Sequence, residues 1–164
     1  MALLPILQLP DPRLREACAP VTQFDATLKQ LADDMLETMY AAPGRGLAGP
    51  QVGVLKRIFV MDAGWKEGPP SPLVCINPVI KDASGTAITT EGCLSIPNRP
   101  VRISRPTVVR MAWQDLAGRQ CEGFFEGFGA VCVQHERDHL DGILCIDYPD
   151  LPEPEFDPAP KATT

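Results

Sequence analysis

The clearest helical pattern in this chain lies between Asp25 and Ala42. Apolar residues recur there at three- and four-residue steps, at Leu28, Leu31, Met35, Leu36 and Met39. Charged residues occupy the opposite face, Asp25 is suited to cap the first turn, and Pro43-Gly44 is suited to end the helix. The pattern therefore predicts an amphipathic helix that packs on a sheet.

Most of the remaining apolar residues fall in short extended runs. The predicted strands are Val54–Met61, Leu73–Ile80 (interrupted near Pro78), Ser84–Thr90, Val108–Trp113 and Gln120–Phe125. The last two flank the turn sequence Q-D-L-A-G-R and form a predicted hairpin. A second helix is predicted from Phe128 to Asp141, with Gly142 in its C-terminal capping position, before an extended segment from Ile143 to Tyr148. This order predicts an α+β fold in which mostly antiparallel, curved sheets surround one central helix.

The two ends of the chain differ from the middle. Residues 5–22 contain several prolines and predict an extended arm with one short helical turn, which Asp11 caps. Residues 149–164 contain five prolines and four carboxylates, a composition typical of an extended or disordered segment. We therefore expect a single catalytic domain over residues 1–148, followed by a tail over 149–164 without a catalytic role.

Composition and charge exclude several functional classes. The chain has 164 residues and a net charge of −6, with no basic stripe, which argues against a nucleic-acid-binding surface. Its opening, M-A-L-L-P-I-L-Q-L-P, is too short and too broken by proline for a signal peptide or a membrane span. We therefore expect a cytoplasmic protein whose six cysteines remain reduced thiols.

The candidate chemistry is concentrated in Q-H-E-R-D-H-L-D-G, residues 134–142. It holds the two histidines of the chain, His135 and His139, four residues apart and therefore on one face of the predicted helix. Both rings can reach one metal ion, and Glu136 stands beside the first ligand, where a carboxylate can take a proton from metal-bound water. Solvated side chains on a surface helix are the simpler alternative, but the apolar residues before His135 indicate a helix that enters the core. The pattern predicts a metal site with a general base.

A third ligand must come from a Cys, Asp or Glu. The downstream acids, which are Asp141, Asp147, Asp150 and those of the proline-rich tail, lack a convincing helical setting. Upstream, Cys93 stands in E-G-C-L-S, residues 91–95, and would complete a compact set with the two histidines. A buried thiol without a function is the usual state of a single cysteine, but the nearby histidine pair favours Cys93 as the ligand.

A glycine-rich segment, G-R-G-L-A-G-P-Q, covers residues 44–51. Three glycines let the backbone come close to another group. The Lys-Ser/Thr pair of a phosphate-binding loop is missing, so this segment alone predicts only a connection from helix to strand.

Together these three motifs resemble the peptide deformylase family, in the family's order, and the resemblance covers roughly residues 5–148. It implies a metallohydrolase that removes the N-formyl group from the N-terminal methionine of new proteins. Cys93, His135 and His139 would bind one divalent ion, Fe(II) foremost, with Zn(II), Ni(II) or Co(II) as substitutes. Glu136 would act as general base, and Gln51 with the backbone N–H of Leu94 would hold the oxyanion. Glu91 and Asp138 are candidates for orienting the imidazoles.

The resemblance also implies a pocket for the methionine side chain, and several residues there depart from the family pattern. The implied pocket residues are Gly46, Arg45, Thr89, Phe128, Val131 and Cys132. Arg45 and Thr89 stand where the family generally has apolar residues, and we expect Arg45 either to point to solvent or to favour an acidic residue after methionine. Gly49 replaces an alanine, from which we expect a looser loop around Gln51.

Three functional interpretations follow. The first is a cytoplasmic, monomeric deformylase acting on N-formylmethionyl peptides or nascent chains. Its docking to the ribosome is in question because an acidic tail replaces the family's basic C-terminal helix, and no contact with nucleic acid or membrane is expected. The second is a deformylase-like paralogue with altered peptide specificity or a non-catalytic peptide-binding role. The third is a zincin-type peptidase, which requires a metal ligand downstream of His139.

Overall fold

The computed structural model describes residues 2–152 and the backbone of residues 161–163. It confirms the α+β class: the described part of the chain has two α-helices, α1 (Ala26–Ala41) and α2 (Gly127–Leu140), with two sheets. The strands are β1 (Gly46–Ala48), β2 (Ile58–Met61), β3 (Leu73–Ser84), β4 (Ala87–Cys93), β5 (Ile96–Arg105), β6 (Val108–Gln114), β7 (Gln120–Glu126) and β8 (Lys161–Thr163). One sheet has the order β1-β2-β3-β6-β7, and the other has the order β5-β4-β8.

Helix α1 forms as its sequence pattern predicts. The Asp25 side chain accepts a hydrogen bond from the Leu28 backbone N–H at 3.0 Å, which satisfies one of the free donors of the first turn. Its apolar face is buried in one of the hydrophobic clusters, together with Ile58 and Val60 of β2. Burial of this face, rather than helix propensity, holds α1 in place.

Helix α2 lies in the interior, between β1, β2 and β7. It is buried almost all round, from Ala130 to Glu136 and again from Asp138 to Leu140. After its C-terminal residue Asp141, Gly142 adopts a φ of 73°, and a Cβ at this position would lie 2.5 Å from the Arg15 carbonyl oxygen. Only glycine satisfies both conditions, so the predicted capping role of Gly142 is confirmed.

The antiparallel sheet contains the predicted hairpin. Strands β6 and β7 pair from Val108↔Glu126 to Gln114↔Gln120 around the predicted turn. Strand β2 is shorter than predicted and begins at Ile58, since residues 54–57 are irregular apart from an isolated parallel bridge between Lys56 and Ala19. Strand β3 continues through Pro78 because the pairing with β6 shifts register between Ile76 and Val79.

Two predictions for the rest of the chain were incomplete or wrong. Strand β5 was not predicted, although it pairs with most of β4. The segment from Ile143 to Tyr148 is not extended throughout, because Cys145–Asp147 forms a 3₁₀ turn. The Asp147 carboxylate accepts a hydrogen bond from the Leu144 N–H at 2.9 Å and so favours this turn over a strand.

The segment predicted to be an extended or disordered tail is partly described. Its residues Lys161–Thr163 form β8, which pairs in parallel with Thr90–Gly92 of β4. Residues 153–160 and 164 lie outside the described residues, and the domain boundary at residue 148 stays a prediction. Among the described helices, none has the length and apolar character that a membrane span requires.

Candidate metal centre and active site

Helix α2 carries the two histidines and the glutamate into the core. His135, Glu136 and His139 are 2%, 0% and 1% exposed. The two imidazole centroids lie 5.0 Å apart, as expected for rings one helical turn apart on the same face. The simpler alternative of solvated surface histidines is therefore wrong.

Strand β4 brings Cys93 to these histidines. Side chains alternate along a strand, and Thr89, Glu91 and Cys93 occupy the buried positions of β4. The ligand atoms of Cys93, His135 and His139 all lie within 4.8 Å of one another, and Cys93 Sγ is 3.5 Å from His139 Nε2.

The unpaired atoms of this cluster fit a metal ion. Within the described part of the chain, His135 Nε2 and both carboxylate oxygens of Glu136 are buried without a hydrogen-bond partner. Such atoms are costly unless a ligand or an ion completes them. Burial lowers the pKa of His139, which keeps its imidazole neutral and its lone pair available. A thiolate and two imidazoles, all buried, form a site suited to one divalent ion.

A buried carboxylate orients the first histidine. His135 Nδ1 and Glu91 Oε1 are 2.9 Å apart, so a proton on Nδ1 leaves Nε2 free to act as a ligand. Burial by itself raises the pKa of Glu91, but the hydrogen bonds from His135 and Arg105 outweigh it and the net pKa is lowered. Glu91 therefore takes the orienting role that the sequence left open.

Asp138 belongs to the same network without touching an imidazole. Its carboxylate accepts hydrogen bonds from Arg105 at 3.1 Å and from the Tyr148 hydroxyl at 2.6 Å. Arg105 also donates to Glu91 at 3.0 Å, and its guanidinium stacks on the Tyr148 ring with 4.8 Å to the centroid. Asp138 therefore holds Arg105, which in turn holds Glu91.

Three of the downstream acids have other partners. Asp141 pairs with Arg57 at 2.9 Å, and Asp147 pairs with Arg15 at 2.6 Å. Asp150 accepts from the Arg102 backbone N–H at 3.0 Å. None of them joins the His135–His139 pair among the described residues, so the structure offers no support for the ligand set of a zincin.

Glu136 is fully buried and tightly packed. A Cβ on Gly46 would lie 2.5 Å from Glu136 Oε2 and 3.0 Å from Cys132 Sγ. Only glycine at position 46 therefore leaves space for the carboxylate. Burial raises the pKa of Glu136 to about 7, which brings its proton affinity into the range useful for acid–base chemistry near neutral pH.

Gln51 directs its amide group at Cys93 of the candidate metal cluster. Its Oε1 accepts a hydrogen bond from the Ala48 N–H at 3.0 Å, while its Nε2 donates to Ser95 Oγ at 3.0 Å and lies 3.7 Å from Cys93 Sγ. Two hydrogen bonds thus fix which end of the amide faces the cluster. Leu94 follows Cys93 directly, in the short connection between β4 and β5.

Gly49 allows a close approach of the backbone around Gln51. A Cβ there would lie 2.6 Å from the Val54 carbonyl oxygen and 2.9 Å from that of Lys56. The Val54 N–H also donates to the Gly49 carbonyl at 2.9 Å. The expectation of a looser loop is therefore wrong, because the segment is closely packed and hydrogen-bonded.

A cavity of about 350 Å³ adjoins the cluster. Four of the six predicted pocket residues line it, namely Arg45, Thr89, Phe128 and Val131. The other two, Gly46 and Cys132, do not line it: Gly46 closely approaches Glu136, and Cys132 Sγ donates to the Arg45 carbonyl at 3.5 Å. The structure thus brings four of the six predicted pocket residues to one cavity, and their role in binding substrate stays a prediction.

The sequence did not identify the other residues that line this cavity. They are Ala63, Glu67, Ala87, Arg105, Pro106, Thr107 and Gly127. Residues spaced by two along a strand lie on the same face, so counting back from Cys93 through Thr89 could have identified Ala87. Glu67 lies on the loop between β2 and β3, and no sequence signal connects it to Arg45.

Comparisons with known proteins agree with this geometry. The family model described as polypeptide deformylase matches residues 3–155. A peptide deformylase of Alkalilimnicola ehrlichii is 55% identical over 148 residues, covering 90% of this chain and 83% of that relative. The crystal structure of peptide deformylase from Thermotoga maritima superposes with a TM-score of 0.85 at 42% identity, covering 90% of this chain and 98% of that one.

A further solved structure was determined with a peptide bound. It is the Met-Ala-Ser-bound class I type b peptide deformylase from Acinetobacter baumannii, with a TM-score of 0.84 and 34% identity over 90% of this chain and 98% of that one. The three motifs, the buried Cys-His-His cluster and these relatives lead to the same assignment. This chain belongs to the polypeptide deformylase family.

Proposed function

We propose that this chain hydrolyses the N-formyl group from the N-terminal methionine of newly made proteins and releases formate. The observation that carries the proposal is the burial of Cys93, His135 and His139 in one cluster, with Glu136 and the Gln51 amide directed at it. Peptide deformylases among the relatives support the reaction class.

Cys93, His135 and His139 are proposed to hold one divalent metal ion, Fe(II) foremost. When bound, the ion lowers the pKa of a coordinated water and polarises the formyl carbonyl. A thiolate with two neutral imidazoles is compatible with iron and also with Zn(II), Ni(II) or Co(II). Metal analysis of the protein purified without oxygen tests the identity of the ion.

Glu136 is proposed to move the proton. Water adds to the formyl carbon and loses a proton to the Glu136 carboxylate; the C–N bond then breaks, and the departing amine nitrogen receives that proton. The products are formate and a free amino terminus. A pKa of about 7 suits both halves of this transfer.

Gln51 and the backbone N–H of Leu94 are proposed to stabilise the negative charge that develops on the formyl oxygen. The hydrogen bonds from Ala48 and to Ser95 hold the Gln51 amide in place before the reaction begins. Donors fixed in this way need no reorganisation as charge develops, which is why such groups contribute strongly to rate.

The cavity lined by Arg45, Thr89, Phe128 and Val131 is proposed to bind the methionine side chain, with Gly46 and Cys132 as supporting residues next to Glu136 and Arg45. The substrate is then an N-formylmethionyl peptide or nascent chain. We also propose that the protein is a cytoplasmic monomer. Residues 149–164 are acidic and rich in proline, so any docking to the ribosome would need a surface other than this segment.

Formate release from formyl-Met-Ala-Ser by protein loaded with Fe(II) without oxygen is the test. Glu136→Ala should retain the metal and lower kcat by about 10²–10⁴-fold, the range for loss of a general acid–base group. Glu122→Ala, which removes a carboxylate that accepts from Arg110 on β6, should match the wild type. Peptide binding without formate release would instead favour the non-catalytic alternative.

Cys93→Ser separates the proposal from the zincin alternative. If Cys93 is a ligand, this variant loses bound metal as measured by elemental analysis. A zincin with its third ligand downstream of His139 would keep its metal in the same variant.

A further inference from the structure

Arg45 forms one wall of the cavity beside the candidate metal centre. It lies one residue before β1, and its side chain is only 16% exposed. Its guanidinium lies over the Phe128 ring, 4.9 Å from the centroid, while its Nη1 donates to the Ala63 carbonyl at 2.6 Å. The expectation that Arg45 points freely to solvent is therefore wrong.

Glu67 already occupies the charged end of Arg45. Its carboxylate accepts from both terminal nitrogens of the guanidinium, with Arg45 Nη1 to Glu67 Oε2 at 2.7 Å. Glu67 itself also lines the cavity, although its side chain is 64% exposed. Two parallel bonds of this kind match the planar fork of arginine and leave the Arg45–Glu67 pair without net charge.

This arrangement has consequences for a side chain that enters the cavity. An anionic group would compete with Glu67 for the same guanidinium N–H groups and would meet the Glu67 carboxylate as a like charge. An uncharged, flexible side chain does not compete with Glu67 and is not repelled by its carboxylate. It can pack against the Arg45 stem and the Phe128 ring. The pair thus admits apolar side chains and disfavours acidic ones.

We propose that Glu67 is a specificity-determining residue: by neutralising Arg45, it restricts this cavity to peptides whose first side chain is uncharged. The proposal rests on the proposed function, because it takes this cavity as the site of the first side chain. Without Glu67, Arg45 becomes an unpaired cation in the wall, and the cavity gains affinity for an anionic side chain.

Three peptides of matched size test the proposal: formyl-Met-Ala-Ser, formyl-Gln-Ala-Ser and formyl-Glu-Ala-Ser. The measured quantity is the ratio of kcat/KM for the Glu peptide to that for the Gln peptide, since these two differ in charge but hardly in shape. In Glu67→Gln this ratio should rise about tenfold over wild type, because the Glu side chain of the peptide can then take the place of Glu67 in a partly exposed ion pair with Arg45.

Two control variants separate charge at the wall from other effects. Arg45→Met combined with Glu67→Gln should return the ratio to the wild-type value, since the unpaired cation is removed and Arg105, the other arginine of the lining, keeps its partners Glu91 and Asp138. Glu122→Gln removes an exposed carboxylate paired with Arg110 at 2.6 Å, outside the cavity lining, and should leave the ratio unchanged. An equal ratio in wild type and Glu67→Gln, or an equal rise in Glu122→Gln, would overturn the proposal.

Failure of the proposed function is a different outcome from failure of the role of Glu67, and it is seen when the wild type releases no formate from formyl-Met-Ala-Ser. The specificity of the cavity is then measured by calorimetry as the affinities for Glu-Ala-Ser and Gln-Ala-Ser. The same tenfold change in their ratio between wild type and Glu67→Gln supports the role of Glu67, and an unchanged ratio rejects it.

Discussion

Two arginine–glutamate pairs each supply an arginine to the lining of the same cavity, but they differ in burial. In the pair Arg105–Glu91 the side chains are 4% and 1% exposed, whereas in the pair Arg45–Glu67 they are 16% and 64% exposed. The side chains of the first pair also contact His135 and Asp138, whereas the Arg45 guanidinium contacts the Ala63 carbonyl and the Phe128 ring. Removing one partner of a buried pair leaves an uncompensated charge in the interior, but a charge near the surface is solvated by water. We therefore expect the first pair to control stability and metal binding, and the second to control only specificity.

Glu91→Ala should have the largest effect. It leaves Arg105 buried with Asp138 as its remaining carboxylate and should lower the free energy of unfolding by about 3–5 kcal/mol. Loss of the His135 partner should also weaken metal binding by roughly 10–100-fold. Urea unfolding and metal titration measure the two effects, and a stability loss no greater than that of Glu122→Ala would contradict the distinction between buried and exposed pairs.

Cys93→Ser separates the direct effect of the Arg105–Glu91 pair on stability from its effect through metal binding. It leaves Arg105–Glu91 intact and should remove only the stabilisation from bound metal, about 2.7 kcal/mol when free metal is about 100 times its Kd. With a chelator present, the wild type and Cys93→Ser should therefore unfold at similar urea concentrations, while Glu91→Ala remains less stable than both. Equal stability of all three metal-free proteins would show that the pair acts only through the metal.

Tyr148→Phe tests the outer end of the buried network. The ring stays available to stack on Arg105, but the hydroxyl that donates to Asp138 at 2.6 Å is lost. We expect a loss of about 1.5 kcal/mol in the free energy of unfolding, the lower range for a hydrogen bond to a charged group. Metal content should be unchanged. A variant that folds normally but lacks metal would show that Tyr148 contributes to metal binding, which its contacts with Asp138 and Arg105 do not predict.

Glu67→Gln should have the smallest effect on stability, with the thermal midpoint within about 2 °C of wild type at neutral pH. Hydrogen bonds from Arg45 lower the pKa of Glu67 below its ordinary value of 4.5. The stabilisation from a carboxylate with a lowered pKa is fully present above 4.5 and is lost as the pH falls through the folded-state pKa. Any difference between wild type and Glu67→Gln should therefore shrink below pH 4.5, and a difference that grows in acid would contradict the pairing.

The sequence identified the candidate metal-binding and catalytic residues more reliably than the residues around them. His135, Glu136 and His139 share a helix, and helical spacing alone predicts that the two histidines face one ion. Cys93 was inferred from the need of the histidine pair for a third ligand and then from the resemblance to a known family, because a distance of 42 residues to His135 carries no spacing signal. Glu67 could not be found at all, since its pairing with Arg45 depends on how an irregular loop folds over the cavity.

Local polarity explains the missed strand. Strand β5 contains two prolines and three arginines, and its buried positions do not alternate: they are Ile96, Val101, Arg102, Ile103 and Arg105. Its pairing with β4, rather than an alternating apolar pattern, makes it a strand. Arg105, at its end, supplies the buried cation of the network, which a surface-like sequence does not reveal.

The alternation of β4 limits how this protein can diverge. Ala87 and Thr89 line the cavity, while Glu91 and Cys93 serve the metal centre, and all four are spaced by two along the same strand. Inserting or deleting one residue within β4 would turn part of this set to the opposite face of the sheet. The loop that carries Ala63 and Glu67 has no such constraint on its length, since surface loops accept insertions and deletions readily. Substrate range in related enzymes should therefore change by substitutions on β4 and by changes of length in the loop.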